Sequence, residues 1–275
     1  MLRRAAVAGS WYPGTARSLE QAVDACLAEV PPHRLQGRLL GLVAPHAGMV
    51  YSSGVAAHAY ALLRGQRDRT VILAGPSHRL AFEGVAVCAE GEFETPLGRI
   101  PIDQEAARAL LAEPGLTDWP APHAAEHSLE MQLPFLQRLV PGLRIVPCLL
   151  GSQTRDESLG LGRALAREAR ELGALLVASS DLSHYHPSSV ARRLDAQVIQ
   201  RVEGLDPEGL MEQLEGFRGH ACGGGAIVAV MWACCALGAV RATVLRYGDS
   251  GDAGERDKSR VVGYLAAAFE GPKEC

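Results

Sequence analysis

Residues 175–187 read LLVASSDLSHYHP, an apolar run that breaks abruptly into serines, an aspartate and histidines. An apolar run of this length, bounded by polar turn residues, suits a strand covered on both faces of a sheet. Two other runs end in the same way. Leu39 to Ala44 leads into Pro45, His46, Ala47 and Gly48, and Thr70 to Ala74 leads into Gly75, Pro76, Ser77 and His78. In an open α/β sheet, ligands bind in the crevice beyond the carboxyl ends of the strands. Histidines placed there three times, His46, His78 and His184, point to one shared pocket.

Working outward, further β-like runs fall at Arg144 to Leu149 and Ala242 to Tyr247. Helical periodicity lies between them at Ser18 to Val30, Gln104 to Ala112 and Glu126 to Leu139. Strands alternating with helices predict an α/β domain with a central mixed, largely parallel sheet flanked by helices. No Pro/Gly/Ser-rich linker, internal repeat or low-complexity stretch divides the 275 residues, so residues 1–275 are expected to form one domain. With 48% hydrophobic and 21% charged residues, the chain has the apolar material for a large core.

The charge balance argues against nucleic acid as a partner. Against 31 acidic residues stand 27 basic ones, and no long Lys/Arg cluster occurs that could follow a phosphate backbone. The start, MLRRAAVAGSWYPG, lacks the apolar stretch of a signal peptide, and a cytoplasmic location is expected. Residues Ala221 to Val240 carry no charge and on length alone could span a membrane. Three consecutive glycines make a poor helix interior, however, and leave Ala226 to Leu237 as a short buried helix. No membrane association is expected.

Imidazole is a ligand for iron, copper and zinc, and two imidazoles at neighbouring strand ends make half of a metal site. A third ligand must be an acid or a thiolate. Of the seven cysteines, Cys26, Cys88, Cys148, Cys234 and Cys235 lie in helix or strand patterns as small hydrophobes, and Cys275 lies at the terminus. Cys222 alone precedes a glycine triplet and a helix start, a setting that lowers a thiol pKa. The segment HAAEHSLEMQLPFLQRL places Glu126, His127 and Glu130 at the expected start of an amphipathic helix. There His127 and Glu130, spaced i,i+3, share a face and can support the ligands or touch substrate. Ser77, in GPSH, is a candidate for the same role.

The motifs GSWYPG (9–14), APHAGMVYSSG (44–54), GPSH (75–78), FETPLG (93–98), AEHSLEMQLPFL (125–136), SSDLSHY (179–185), CGGGAI (222–227) and DKSRVVGYLAA (257–267) occur in chain order. Together they resemble the MEMO proteins, of the type that bacteria and archaea group with radical-SAM and AMMECR-type proteins (the AmmeMemoRadiSam grouping). The Ala-, Arg- and Gly-rich, Lys-poor composition suits a bacterial member. The resemblance implies a fold similar to the class III extradiol dioxygenases (LigB-like), which hold Fe(II) with two histidines and a glutamate. It places the metal ligands at His46, His78 and Cys222, with Asp181 and His184 beside them and His184 as the acid/base group. Cysteine in place of glutamate departs from the dioxygenase pattern and turns the expectation from ring cleavage towards a different iron or copper chemistry.

The function expected on these grounds is that of a non-haem metal-dependent oxidoreductase acting on a small molecule, with Fe(II) as first choice and copper or zinc as alternatives. In this reading His184, oriented by Asp181, moves protons. Two other classes stand beside it: a peptide- or small-molecule-binding protein with no metal or a structural one, and a zinc hydrolase. A radical-SAM protein and an AMMECR-type protein are the macromolecular partners that the resemblance implies.

Overall fold

The computed structural model describes residues 1–253 and 257–273, with Arg218 by its backbone alone; Cys275 lies outside them. In chain order the elements begin with β1 (Leu2–Arg3), α1 (Ala16–Ala28), β2 (Leu39–Ala44), α2 (Met49–Tyr60) and β3 (Thr70–Pro76). Next come β4 (Val85–Val87), β5 (Glu92–Thr95), β6 (Gly98–Pro101), α3 (Gln104–Leu110), β7 (Leu116–Asp118), α4 (Leu133–Leu139) and β8 (Arg144–Leu150). The remainder is α5 (Arg155–Leu172), β9 (Leu175–Ser179), β10 (His184–His186), α6 (Ser188–Glu203), α7 (Pro207–Gly216), α8 (Gly224–Ala236), β11 (Arg241–Asp249) and β12 (Val261–Glu270).

The main sheet has the order β10-β12-β2-β9-β3-β8-β4-β7, with β11 also paired to β12. Its centre, β2-β9-β3-β8, is parallel, while β12 joins β2 and β4 joins β8 in antiparallel fashion. The α/β class and the mixed sheet are therefore as expected, with the parallel run in the middle and a further parallel pair, β4-β7, at one edge. The middle is where both faces are covered: β3 and β9 are buried along their whole length. A small second sheet, β1-β5-β6, packs the start of the chain against the body.

Helix α8 is the expected buried helix. It packs between the sheet and α5 and α7, and Ile227, Val228, Val230 and Met231 are wholly out of water. Burying side chains of this size contributes about 1.5–3 kcal/mol each. Close approach depends on Gly162 of α5, where an added Cβ would come within 3.1 Å of the Ala229 carbonyl. Among the described residues no helix is long and apolar enough to cross a membrane.

The helix expected over Glu126 to Leu139 is shorter. Only Leu133–Leu139 is α-helical, preceded by a 3₁₀ turn at Glu130–Gln132. Glu126 explains the late start, because its Oε1 accepts the N–H groups of His127 and Ser128, both at 2.9 Å, and so holds a local turn. Pro134 then sits in the first turn of α4, where its missing donor costs nothing.

Candidate functional site

Strand order brings the histidines together. Because β9 lies between β2 and β3, the segments after all three strands leave the sheet side by side. Ser180 N–H donates to the Ala44 carbonyl at 3.0 Å, which ties two of these exits. The ligand atoms of His46, His78 and Cys222 all fall within 4.8 Å of one another. They line a cavity of about 1000 Å³ shared with Trp11, His127, Asp181 and His184.

Hydrogen bonding sets the tautomer of His46. Ser179 Oγ donates to the Ser128 carbonyl at 2.7 Å, which uses its one proton. It accepts from Gln132 Nε2 at 2.7 Å, and Gln132 is itself oriented by Tyr60 O–H donating to its Oε1 at 2.6 Å. The remaining contact, His46 Nδ1 to Ser179 Oγ at 2.9 Å, must therefore have the imidazole as donor. That leaves Nε2 unprotonated, an acceptor 3.2 Å from Cys222 Sγ. Burial, and then the neighbouring His78 and His127, hold His46 well below the ordinary histidine pKa, so it is neutral.

His78 is set in the same way by Glu126. Its Nδ1 donates to Glu126 Oε1 at 3.0 Å and its backbone N–H donates to Oε2 at 2.5 Å. Burial alone would raise the Glu126 carboxyl, but these bonds and the Ser128 N–H outweigh it and hold it down at about 2. A permanent carboxylate on Nδ1 fixes the tautomer and the ring orientation, as partners of metal-bound histidines commonly do. Glu126, His78 and His127 also lie close enough to hold an ion themselves. Both Glu126 oxygens, however, already accept N–H groups, which makes it a support for His78.

Cys222 reaches the site from the loop before α8. Asp181 N–H donates to Cys222 Sγ at 3.3 Å, and Cys222 N–H donates to the Asp181 carbonyl at 3.2 Å. Gly223 is required next to it, since a Cβ there would lie 2.4 Å from the Ser179 carbonyl. The lowered thiol pKa expected from the helix start is corrected. Burial, and then the nearby Asp181, push the thiol up, because the helix dipole is weaker than the loss of water.

Asp181 does not orient His184. Its Oδ1 accepts the His46 N–H at 2.7 Å, so it braces the loop that carries His46. Burial raises its carboxyl to about 7 against the opposing N–H bonds from His46 and Ala47. His184 instead places Nδ1 2.7 Å from the Leu182 carbonyl. A carbonyl only accepts, so Nδ1 carries the proton and Nε2 is free. Burial lowers the His184 pKa, which keeps the ring neutral and able to take a proton.

Two assigned residues stand elsewhere. Ser77 Oγ donates to the Leu80 carbonyl at 2.7 Å and does not line the cavity. Glu130, fully buried, pairs with Arg3 and accepts from Tyr12 O–H at 2.5 Å and from Ala6 and Val7 N–H at 2.8 and 3.1 Å. Those bonds anchor the segment that carries Trp11, so Glu130 supports a wall of the cavity and does not touch its contents. His127, by contrast, does line the cavity, with its ring 4.3 Å from Trp11 and 4.7 Å from His78 between centroids. Burial lowers it to about 4. The same holds for the fully enclosed His123, whose Nε2 lies 3.1 Å from the Ala86 carbonyl away from the cavity.

Tyr185 also lines the cavity, set between His184 and His186 where the β10–β12 register shifts. Its backbone takes the left-handed region, φ 63, which disfavours a bulky residue. The guanidinium of Arg260 lies 5.5 Å from its ring centre. Ser179, Gln132 and Tyr60, which set the His46 tautomer, were not among the residues singled out from sequence, and neither were Tyr185 and Arg260.

Residues 3–268 match the family of Memo-like proteins. The chain belongs to that family. A MEMO1 family protein of Methanothermobacter thermautotrophicus is 37% identical over 274 residues, covering 96% of this chain and 99% of its own. One of Methanosarcina barkeri is 38% identical over 272 residues, covering 98% and 100%. Among solved structures, an uncharacterized protein of Escherichia coli K12 matches with a TM-score of 0.54 at 17% identity, over 83% of this chain and 99% of that one. That likeness is one of fold. The Memo-like chain therefore pairs a recognised family with a cavity floored by two imidazoles and a thiol.

Proposed function

We propose that this Memo-like protein is a mononuclear metal-dependent oxidoreductase that holds Fe(II), or copper, through His46 Nε2, His78 Nε2 and Cys222 Sγ. The observation that carries the reading is the pair of tautomers. Ser179 and Glu126 occupy both Nδ1 atoms and leave each Nε2 as the available donor, with a ring nitrogen of each histidine within 4.8 Å of one sulfur. Nitrogen and sulfur ligands of one ion lie roughly 3.6 Å apart across a tetrahedral angle. The 3.2 Å between His46 and Cys222 is close to that spacing. A nitrogen and thiolate donor set suits iron, copper or zinc and is a poor match for magnesium or calcium. Once bound, iron or copper would supply electron transfer to a substrate held in the cavity.

The chain's own groups do the rest. Trp11, Tyr185 and His127 wall the cavity and orient a small molecule against its floor. His184 Nε2 takes or returns a proton there, since its Nδ1 is committed to Leu182. Asp181 keeps the His46 loop in place.

Titration of the metal-free protein with Fe(II) and Cu(I) under anaerobic conditions tests the reading. The expected result is one ion per chain that cycles between oxidation states and, when oxidised, shows a thiolate charge-transfer band that Cys222→Ser removes. A site that takes zinc alone would support hydrolysis instead. One that takes none of these ions would support a binding protein.

A further inference from the structure

A second large cavity, about 930 Å³, lies at the opposite end of the main sheet. It is bounded by Leu39 at the start of β2, by Arg69 just before β3 and by Gly173 just before β9. The cations lining it are Arg34, Arg38, Arg64, Arg69 and Lys273, and no acidic residue lines it among the described residues. This concentration runs against the chain as a whole, whose formal net charge is −4.

The positions are held by the fold. Gly271 N–H donates to the Arg38 carbonyl at 2.9 Å and Arg38 N–H to the Pro272 carbonyl at 3.3 Å, which sets Lys273 beside Arg38. Arg64 donates to the Leu27 carbonyl at 2.6 Å. Arg69 donates through one terminal nitrogen to Gln66 at 3.2 Å, yet its Nε is buried without a partner. Among the described residues, no carboxylate lies within ion-pair distance of Arg34, Arg64, Arg69 or Lys273. Burial, and then the charge of Arg38, make the protonated state of Arg69 less favourable than in water. A half-buried guanidinium with an orphan N–H is costly unless an acceptor reaches it, and an anion is the acceptor that its charge favours.

We propose that this cavity binds a small molecule carrying two or more adjacent phosphate groups, with Arg69 at its floor and Arg34, Arg38, Arg64 and Lys273 around it. Guanidinium forks match phosphate oxygens in pairs. A cavity of this volume suits a small ligand, whereas a nucleic-acid chain needs an extended basic stripe. The site is independent of the metal centre and does not rest on the function proposed above.

Inorganic triphosphate is the probe, titrated calorimetrically into the full chain at low ionic strength. Saturable binding at one site is expected, weakening about tenfold or more in Arg34→Gln/Arg38→Gln/Lys273→Gln, whose positions are exposed and outside the core, and weakening also as salt is added. Arg69→Gln should act in the same direction. Arg79→Gln/Arg260→Gln, at the other cavity, should leave the affinity unchanged. Equal affinity in the triple variant overturns the proposal, as does loss of binding in Arg79→Gln/Arg260→Gln. Citrate binding as tightly as triphosphate overturns the phosphate assignment, and binding of a single-stranded oligonucleotide in the absence of triphosphate binding overturns the small-ligand assignment.

Discussion

His46 Nε2 and Cys222 Sγ lie 3.2 Å apart although 176 positions separate them in the chain. The imidazole is neutral with Nε2 as an acceptor, and the sulfur carries a proton that burial makes hard to remove. Binding a metal here must expel that proton, and from this the first prediction follows.

Metal uptake should release one proton per ion at neutral pH, and affinity should rise about tenfold per pH unit below the thiol pKa. Calorimetry in buffers of different ionisation enthalpy reads the proton count. Cys222→Ser should reduce both the release and the affinity, and a count of zero in the unaltered protein would mean that the sulfur is not a ligand.

Glu126→Gln should weaken metal binding about 10- to 100-fold, the usual cost of losing a carboxylate behind a ligating histidine. Competition against a chelator measures it. Unchanged affinity would show that the tautomer of His78 is set by something other than Glu126.

Stability should fall on acidification from about pH 7. His123 is fully enclosed with its pKa lowered from 6.5 to about 4, so the unfolded chain binds a proton that the folded one refuses. For such a group the loss begins as pH drops through the unfolded value of 6.5 and levels off below about 4. Between pH 6.5 and 5 it amounts to about 2 kcal/mol. His127 acts in the same sense, and Asp181, raised to about 7, acts in the opposite one because the folded chain takes up its proton first. Denaturant unfolding of metal-free protein at several pH values reads the net slope, and His123→Gln should lessen the loss on acidification; an identical slope would assign the effect to other groups.

Ile227→Ala in α8 should cost about 2–5 kcal/mol, the range for truncating a fully buried aliphatic side chain. Metal per folded chain should not change, because α8 supports the fold while Cys222 stands before it. Thermal unfolding paired with elemental analysis separates the two effects, and a loss of metal in the folded fraction would tie the site to the helix packing.

Much of this arrangement was legible in the sequence for physical reasons. Apolar runs that break into Pro-His, Pro-Ser-His or Ser-Ser-Asp announce buried strands stopping at a pocket, and these three strands are neighbours. Glu130 was misplaced because i,i+3 spacing presumes a helix, and the turn made by Glu126 delays that helix to Leu133. Gln132 gave no signal, since a single amide has no periodicity, and Ser179 stood in the polar strand end with nothing in the sequence to pair it with His46. The basic cavity was invisible for a related reason: its cations come from separate segments that only the fold gathers.

If His46, His78 and Cys222 together hold one ion, elemental analysis of anaerobically isolated protein should find close to one iron or copper per chain. In His46→Ala/His78→Ala nearly all of it should be lost, and in Cys222→Ala much of it, with folding retained. Full occupancy in the folded double variant would rule out the shared site.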